Sequence, residues 1–167
     1  MEKTPRTPAP EVRRATAADV PALVRLRALM LADMGIPAGP EDAPWREAAG
    51  RWFTERLAGE ADFAAFVVEE PGRGVVSCAV GTCDHHAPGP TSPSGLRGHV
   101  SNVATEHAAR HQGYARACTE ALLRWFAEET EVSAVDLHAT ADGTHLYETL
   151  GFRAPRFPAL QIRLGTP

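Results

Sequence analysis

The sequence predicts an α+β fold built on a mixed sheet, mostly antiparallel, with one parallel pair of strands and about four flanking helices. Two apolar segments, 63–69 and 75–83, flank a Pro- and Gly-rich turn, which is typical of a hairpin and makes the early sheet antiparallel. Further on, segments 99–105 and 135–139 flank a helix that begins after Gly113. A right-handed crossover of this kind joins parallel strands.

The chain is expected to form one domain behind a short tail. Residues 1–10 contain three prolines and no apolar periodicity, so we expect them to be a disordered tail. A single domain should span residues 11–167, because a chain of 167 residues with 44% hydrophobic content suffices for one substantial core. A strand over residues 11–15 opens it.

Two helices should follow the first strand. Apolar residues at helical spacing predict the first, capped by Thr16 or Asp19 and ended by Gly35. The second should span residues 44–58, with two tryptophans along its length.

The central strand, 99–105, is expected to alternate strictly, with odd-numbered residues on one face and even-numbered residues on the other. It follows a Pro- and Gly-rich stretch, 84–98, that predicts a long surface loop. The chain should end in a helix that contains Tyr147 and a strand over residues 159–164.

Composition excludes several function classes. A net charge of −4 argues against nucleic acid as a partner, because phosphate neutralisation needs a basic face. No apolar run approaches the roughly 20 residues that cross a bilayer, and no signal peptide opens the chain, so we expect no membrane partner and a cytoplasmic location. The single lysine, Lys3, lies in the tail, which removes Schiff-base and phosphate-loop lysine chemistry.

The cysteines and arginines add two expectations. Cys78 and Cys83 lie in one apolar stretch and are interpreted as buried thiols in a reducing compartment. Sixteen arginines beside one lysine, with abundant alanine, favour a bacterial genome of high GC content.

The stretch from Val103 to Cys118 carries the strongest functional signal. It reads as the end of a strand, a short loop, and then Arg110-x-x-Gly113-x-Ala115 at the start of a helix. The first N–H groups of a helix lack intrahelical partners and carry the positive end of the dipole, so this layout suits an anion such as pyrophosphate. An ordinary strand–loop–helix corner is the alternative.

A second segment, 134–152, decides between these alternatives. It contains Leu146-Tyr147-Glu148-Thr149-Leu150-Gly151-Phe152. Together the two segments resemble the GCN5-related N-acetyltransferase (GNAT) superfamily, in which the first motif binds the pyrophosphate of acetyl-CoA and the tyrosine of the second faces the sulfur. The resemblance covers most of residues 11–164. It implies a GNAT fold in which the parallel strands splay apart.

The resemblance also implies roles for individual residues. Tyr147 is the candidate catalytic acid, with a purely structural tyrosine as the alternative. The cofactor-binding residues implied for acetyl-CoA are Val103, Thr105, Arg110, His111, Gln112, Gly113, Tyr114, Ala115, Arg116 and Thr140. Thr140 stands where many family members have asparagine, so a hydroxyl would replace an amide there.

The general base stays open between four side chains and a water chain. His99, Ser101 and Glu106 lie on or just past the central strand, and His138 lies on the next strand. No metal is expected, because the pair at residues 85–86 has only one neighbouring acid and lies in a Pro-rich stretch.

We therefore expect an acetyl-CoA-dependent N-acetyltransferase that acts on the primary amine of a small molecule. A protein or peptide acetyltransferase and a non-catalytic acyl-CoA sensor are the alternatives, and a homodimer is left open. The acceptor pocket should lie between the first two helices, the 84–98 loop and the final strand. Glu41, Asp42 and Glu47 are expected near its mouth, where they would favour cationic acceptors.

Overall fold

The computed structural model describes residues 9–59 and 61–165. The predicted tail falls largely on residues 1–8, outside the described residues, and Ala9 and Pro10 have no regular secondary structure. The elements in chain order are β1 (Val12–Arg14), α1 (Val20–Asp33), α2 (Pro44–Gly59), β2 (Phe63–Glu70), β3 (Gly74–His85), β4 (Leu96–Thr105), α3 (Tyr114–Glu129), β5 (Val135–Leu137) and α4 (Thr144–Thr149). Short 3-10 turns precede α1 and α3.

The five strands form one sheet in the order β1-β2-β3-β4-β5. The first three pairings are antiparallel, and β4 pairs with β5 in parallel. This confirms the predicted fold class. None of the described helices is both long enough and apolar enough to cross a bilayer.

Helices cover both faces of the sheet. Leu23 and Leu26 of α1 and Phe53 of α2 pack on one face in a core that includes Val67 and Val80. On the other face, the buried residues of α3 pack against alternate strand positions; these are Cys118, Leu122, Trp125 and Phe126. Both cores follow from the period of two along β2 and β3, which buries residues on both sides.

A β-bulge interrupts β4. Cys78 pairs with Ala104 and Val80 with Ser101, so Asn102 and Val103 together face one residue of β3. Asn102 adopts a left-handed backbone with φ of 51°. The predicted strict alternation over 99–105 is therefore wrong: Val100 packs towards α3, while Ala104 packs towards α1 and α2.

The parallel pair of strands separates after three residues. Gly98–Val100 pair with Val135–Leu137, and residues 101–105 of β4 have no partner on β5. The two strands diverge from this point, which leaves a cleft between them.

Two predicted segments differ from the structure. The loop expected at 84–98 is shorter, because β3 continues to His85 and β4 begins at Leu96. The final strand expected at 159–164 does not form: residues 152–165 have no regular secondary structure, and Leu160 is 97% exposed. A strand needs a ladder partner for its backbone groups, and this segment pairs with none among the described residues.

Candidate active site

A cavity of about 680 Å³ fills the cleft between β4 and β5. Its walls are residues 100–105 of β4, the start of α3, the end of β5 and the Tyr147 face of α4, with Asp33 at the end of α1. The bulge and the early separation of the strands create this space, which we call the coenzyme cavity.

The N-terminus of α3 opens into the coenzyme cavity. Gly113 caps the helix with a φ of 79°, a conformation that favours glycine, and a Cβ there would meet no atom within 4 Å. The first intrahelical bond runs from the Ala117 N–H to the Gly113 carbonyl, at 3.0 Å. The N–H groups of residues 114–116 therefore have no intrahelical acceptor and form a site suited to an anion.

The charged side chains near this helix end have partners within the protein. Arg110 donates to Asp33 at 2.5 Å, and its Nε donates to the Thr105 carbonyl at 3.1 Å. His107 lies 2.9 Å from the same carboxylate. The hydrogen bond with His107, helped by that with Arg110, lowers the pKa of Asp33. Arg110 and His107 thus converge on one carboxylate at this position.

Tyr114 and Arg116 are also engaged. The Tyr114 hydroxyl donates to Glu70 at 2.9 Å. Arg116 pairs with Glu120 at 2.9 Å and donates to Thr149 of α4 at 2.8 Å, which ties α3 to α4.

The cavity brings together all but one of the predicted cofactor-binding residues. Gln112 is exposed and does not line it. The hydroxyl of Thr105 lies 2.8 Å from that of Ser77. Thr140 lines the cavity, and its hydroxyl accepts the Gly143 N–H at 3.3 Å in the turn that starts α4. The remaining predicted residues on the cavity wall are Val103, Arg110, His111, Gly113, Tyr114, Ala115 and Arg116.

Tyr147 lines the far end of the coenzyme cavity. Its ring packs edge-on against Phe152, with centroids 5.9 Å apart. Burial raises the pKa of Tyr147 above its ordinary value of 10.0. Its hydroxyl has no hydrogen-bond partner in the described part of the chain and is accessible from the cavity. Tyr147 is therefore a protonated, unengaged donor.

A second cavity of about 550 Å³ lies on the other side of β4, beneath α1 and α2. Trp45, Trp52 and Phe53 provide its aromatic wall, and Arg27 of α1 also lines it. Its remaining lining residues are Ala48, Ala49, Val80, Thr82, His99, Ser101 and Asn102. Ser101 and Asn102 line both cavities, so the two meet at the bulge. We call this second space the aromatic cavity.

His99 faces the aromatic cavity in contact with an acid. Its Nδ1 lies 2.5 Å from Asp136, which is its partner in the β4–β5 register. The carboxylate therefore favours the tautomer with the proton on Nδ1, which leaves Nε2 free as a proton acceptor. The ring of His138 lies 5.6 Å from that of His99 but lines the coenzyme cavity.

Glu106 and Ser101 are less well placed than His99 to act as the general base. Both oxygens of Glu106 are engaged, one by Arg25 and the other by Arg73 at 3.1 Å. Both oxygens are therefore occupied, and Glu106 lines neither cavity. Ser101 has no basic partner among the described residues.

The acidic residues expected near the mouth of the acceptor pocket lie at the surface. Glu41, Asp42 and Glu47 are exposed, and none of them lines the aromatic cavity. His85 and His86 are exposed, and no three His, Cys, Asp or Glu side chains cluster in a metal-binding arrangement within the described ranges.

Sequence reasoning missed Arg27, Asp33 and Asp136. The contact of Asp136 with His99 could have been predicted, because Asp136 alternates with His138 on the strand expected to lie next to His99. The contacts of Arg27 and Asp33 depend on where α1 crosses the sheet, which no local pattern records.

The comparisons with known proteins agree with this geometry. A sequence model of the acetyltransferase (GNAT) family matches residues 26–152. A GCN5-related N-acetyltransferase from Ralstonia eutropha JMP134 is 25% identical with a TM-score of 0.73, over 91% of this chain and 97% of that one. No curated protein matches at a significant level.

Two further structures share the fold. A predicted acetyltransferase from Clostridium acetobutylicum, crystallised with acetyl-CoA, is 24% identical with a TM-score of 0.77, over 90% of this chain and 95% of that one. Glucosamine-6-phosphate N-acetyltransferase from Arabidopsis thaliana is 15% identical with a TM-score of 0.70, over 91% of this chain and 97% of that one.

Proposed function

This chain belongs to the acetyltransferase (GNAT) family, and we propose that it transfers the acetyl group of acetyl-CoA to the primary amine of a small molecule. The family match confirms the resemblance drawn from the two sequence segments, since both lie within residues 26–152. The observation that carries the finer proposal is the junction of two cavities at the β4 bulge.

The coenzyme cavity suits acetyl-CoA at the end where α3 begins. Unengaged N–H groups and the open space at Gly113 fit a pyrophosphate. Arg110, now paired with Asp33, provides positive charge beside it, and His107 contacts the same carboxylate. When bound, acetyl-CoA supplies an activated acyl group whose C–S bond breaks as the C–N bond forms.

The residues of this chain supply the proton transfers. We assign Nε2 of His99 as the base that removes a proton from the ammonium group of the amine substrate, because the neutral amine is the nucleophile. Tyr147 donates a proton to the departing sulfur. When the amide forms, the nitrogen of the substrate loses a second proton. This proton returns through solvent to the Tyr147 phenolate and restores the hydroxyl. Asp136 positions the imidazole through its contact with Nδ1.

Two observations favour this function over its alternatives. The size of the aromatic cavity, about 550 Å³, is that of a small-molecule site. The His99–Asp136 pair and the unengaged Tyr147 hydroxyl favour turnover over a sensor that only binds acyl-CoA.

The remaining proposals concern the setting of the enzyme. We propose a bacterial, cytoplasmic enzyme, and its three cysteines are unpaired and buried in keeping with this. The exposed apolar residues Leu160, Ile162 and Leu164 support a homodimer, which light scattering would test.

Calorimetric titration with acetyl-CoA tests the coenzyme site. Gly113→Glu should abolish binding, because it places a carboxylate in the anion site. Gly72→Glu is the matched control: Gly72 also has a left-handed backbone and open space where a Cβ would stand, but lies in the β2–β3 turn. Circular dichroism should show both variants folded. Wild-type protein without saturable binding would contradict the proposed function, and equal affinity in both variants would contradict the placement of the site.

A further inference from the structure

Arg27 is a cation without an anionic partner in an otherwise neutral wall. Its Nη1 donates to the Asn102 side-chain oxygen at 3.3 Å, and it pairs with no carboxylate of the described chain. Arg25 on the same helix is paired with Glu106. The lining of the aromatic cavity contains no Asp or Glu, and its only other titratable side chain is His99.

This charge pattern selects among amines. A guanidinium presents its N–H donors in a planar fork that matches a carboxylate, and such pairs are stronger than neutral hydrogen bonds. A polyamine or an aminoglycoside would instead bring further positive charge towards Arg27 with no acid in the lining to receive it. The cavity therefore favours an acceptor that carries a carboxylate.

The position of Arg27 limits how far that carboxylate lies from the amine. Its partner Asn102 is one of two residues that line both cavities, so the guanidinium stands close to their junction. The amine must also reach this junction to meet the acyl group. An amine and a carboxylate on the same carbon satisfy both requirements.

The aromatic residues of the cavity wall indicate what the rest of the amine substrate is like. Trp52 meets Phe53 edge-on at 5.2 Å, and Trp45 is fixed by a hydrogen bond from its Nε1 to the Ala38 carbonyl at 2.7 Å. Trp52 is 38% exposed, so part of its ring is available to a ligand. Aromatic side chains of this kind favour a flat, apolar group stacked or set edge-on against them.

We infer that the acceptor is an α-amino acid with an aromatic side chain, held by Arg27 through its carboxylate and by Trp45 and Trp52 through its ring. This inference rests on the proposed function, since it names the substrate class of the same site. It replaces the preference for cationic acceptors that the acidic composition suggested.

Matched acceptors test the inference in the wild-type enzyme. L-phenylalanine, its methyl ester and phenethylamine share the ring and the amine, but only the first has a carboxylate. At saturating acetyl-CoA, thiol release should give L-phenylalanine a kcat/KM roughly 10- to 100-fold above the other two, as expected for a charge-assisted pair. Spermidine should be a poorer acceptor than all three.

A binding measurement separates recognition from turnover. With coenzyme A in place of acetyl-CoA, L-phenylalanine should quench tryptophan fluorescence at lower concentration than phenethylamine. Arg27→Gln should remove this preference and lower kcat/KM for L-phenylalanine alone, with acetyl-CoA affinity unchanged. Arg51→Gln, which makes the same change on the exposed side of α2, should retain it.

Three results would overturn the inference: equal kcat/KM for the three phenyl compounds, turnover of spermidine in preference to L-phenylalanine, or no turnover of any of them. If Arg27→Gln does not fold, the wild-type comparison alone decides. Failure to bind acetyl-CoA at all would instead contradict the proposed function, so the two failures are distinguishable.

Discussion

The Tyr147 hydroxyl combines two properties that a proton donor needs. It is unengaged at the cavity wall, and burial raises its pKa above 10.0. The acid form is therefore retained through neutral and moderately alkaline pH and is lost only as pH rises through this elevated pKa.

Tyr147→Phe keeps the ring contact with Phe152 and removes only the hydroxyl. We expect kcat to fall about 10²-fold while acetyl-CoA affinity changes little. In the wild type, this group should lower kcat only in the alkaline range, as the pH rises through its elevated pKa. Rates measured where chemistry limits turnover check both statements. An unchanged kcat would leave Tyr147 with a structural role only.

His99→Gln should lower kcat by about 10²-fold or more, because the base is removed while a polar side chain of similar length remains. Asp136→Asn should have a smaller effect, since the imidazole stays but loses its orienting carboxylate. Values of kcat measured with both substrates at saturation check both expectations.

Acetyl-CoA affinity should be the same in both variants, because His99 lines only the aromatic cavity. His86→Gln, in the exposed loop outside both cavities, provides the control. Loss of coenzyme binding in step with kcat would instead indicate a structural role for His99.

At the scale of elements, α3 lies very close to the sheet. A Cβ at Gly81 of β3 would stand 2.7 Å from Leu122 and 2.8 Å from Phe126. Gly81→Ala should therefore reduce the free energy of unfolding by about 1–3 kcal/mol through overpacking. Gly50→Ala inside α2 should raise it by roughly 0.5–1 kcal/mol, because its Cβ meets only ordinary contacts and glycine is a poor helix former. Urea unfolding measures both, and a neutral Gly81→Ala would show that α3 can shift away from the sheet.

The same scale explains what the sequence could predict. The period of two along β2 and β3 and the glycine before α3 are local signals, and the elements they predicted are confirmed. The bulge at Asn102 was missed because an inserted residue looks like ordinary alternation until the partner strand fixes the register. The strand expected over residues 159–164 does not form, because an apolar segment alone does not guarantee a ladder partner.

Parts of the candidate site, too, could be predicted from the sequence, and other parts could not. The anion site and Tyr147 each belong to a contiguous sequence motif, so both can be predicted from the sequence alone. The contacts of Arg110 with Asp33 and of Arg27 with Asn102 join residues more than seventy positions apart, and they exist only once α1 lies across β4. These long-range contacts define the electrostatics of both cavities.

At the scale of the whole molecule, the bulge in the central strand places two cavities back to back. The coenzyme cavity is built mainly by α3, β5 and α4 and the aromatic cavity by α1 and α2, although the end of α1 also lines the coenzyme cavity. Substitutions in one cavity should therefore leave binding in the other nearly unchanged, apart from those at Ser101 and Asn102.

The irregular segment after α4 has a consequence for how the protein meets a protease. Arg156 is exposed, has no ladder bonds and is followed by Phe157, which is 79% exposed. Among the described residues, limited trypsin treatment should cut here first, since cleavage requires an extended, accessible backbone. Neither hydrophobic core includes any of residues 153–165. The trimmed protein should thus keep its circular dichroism spectrum and still bind acetyl-CoA, which mass spectrometry and calorimetry would establish. Early cleavage within β3 or α3 would contradict this expectation.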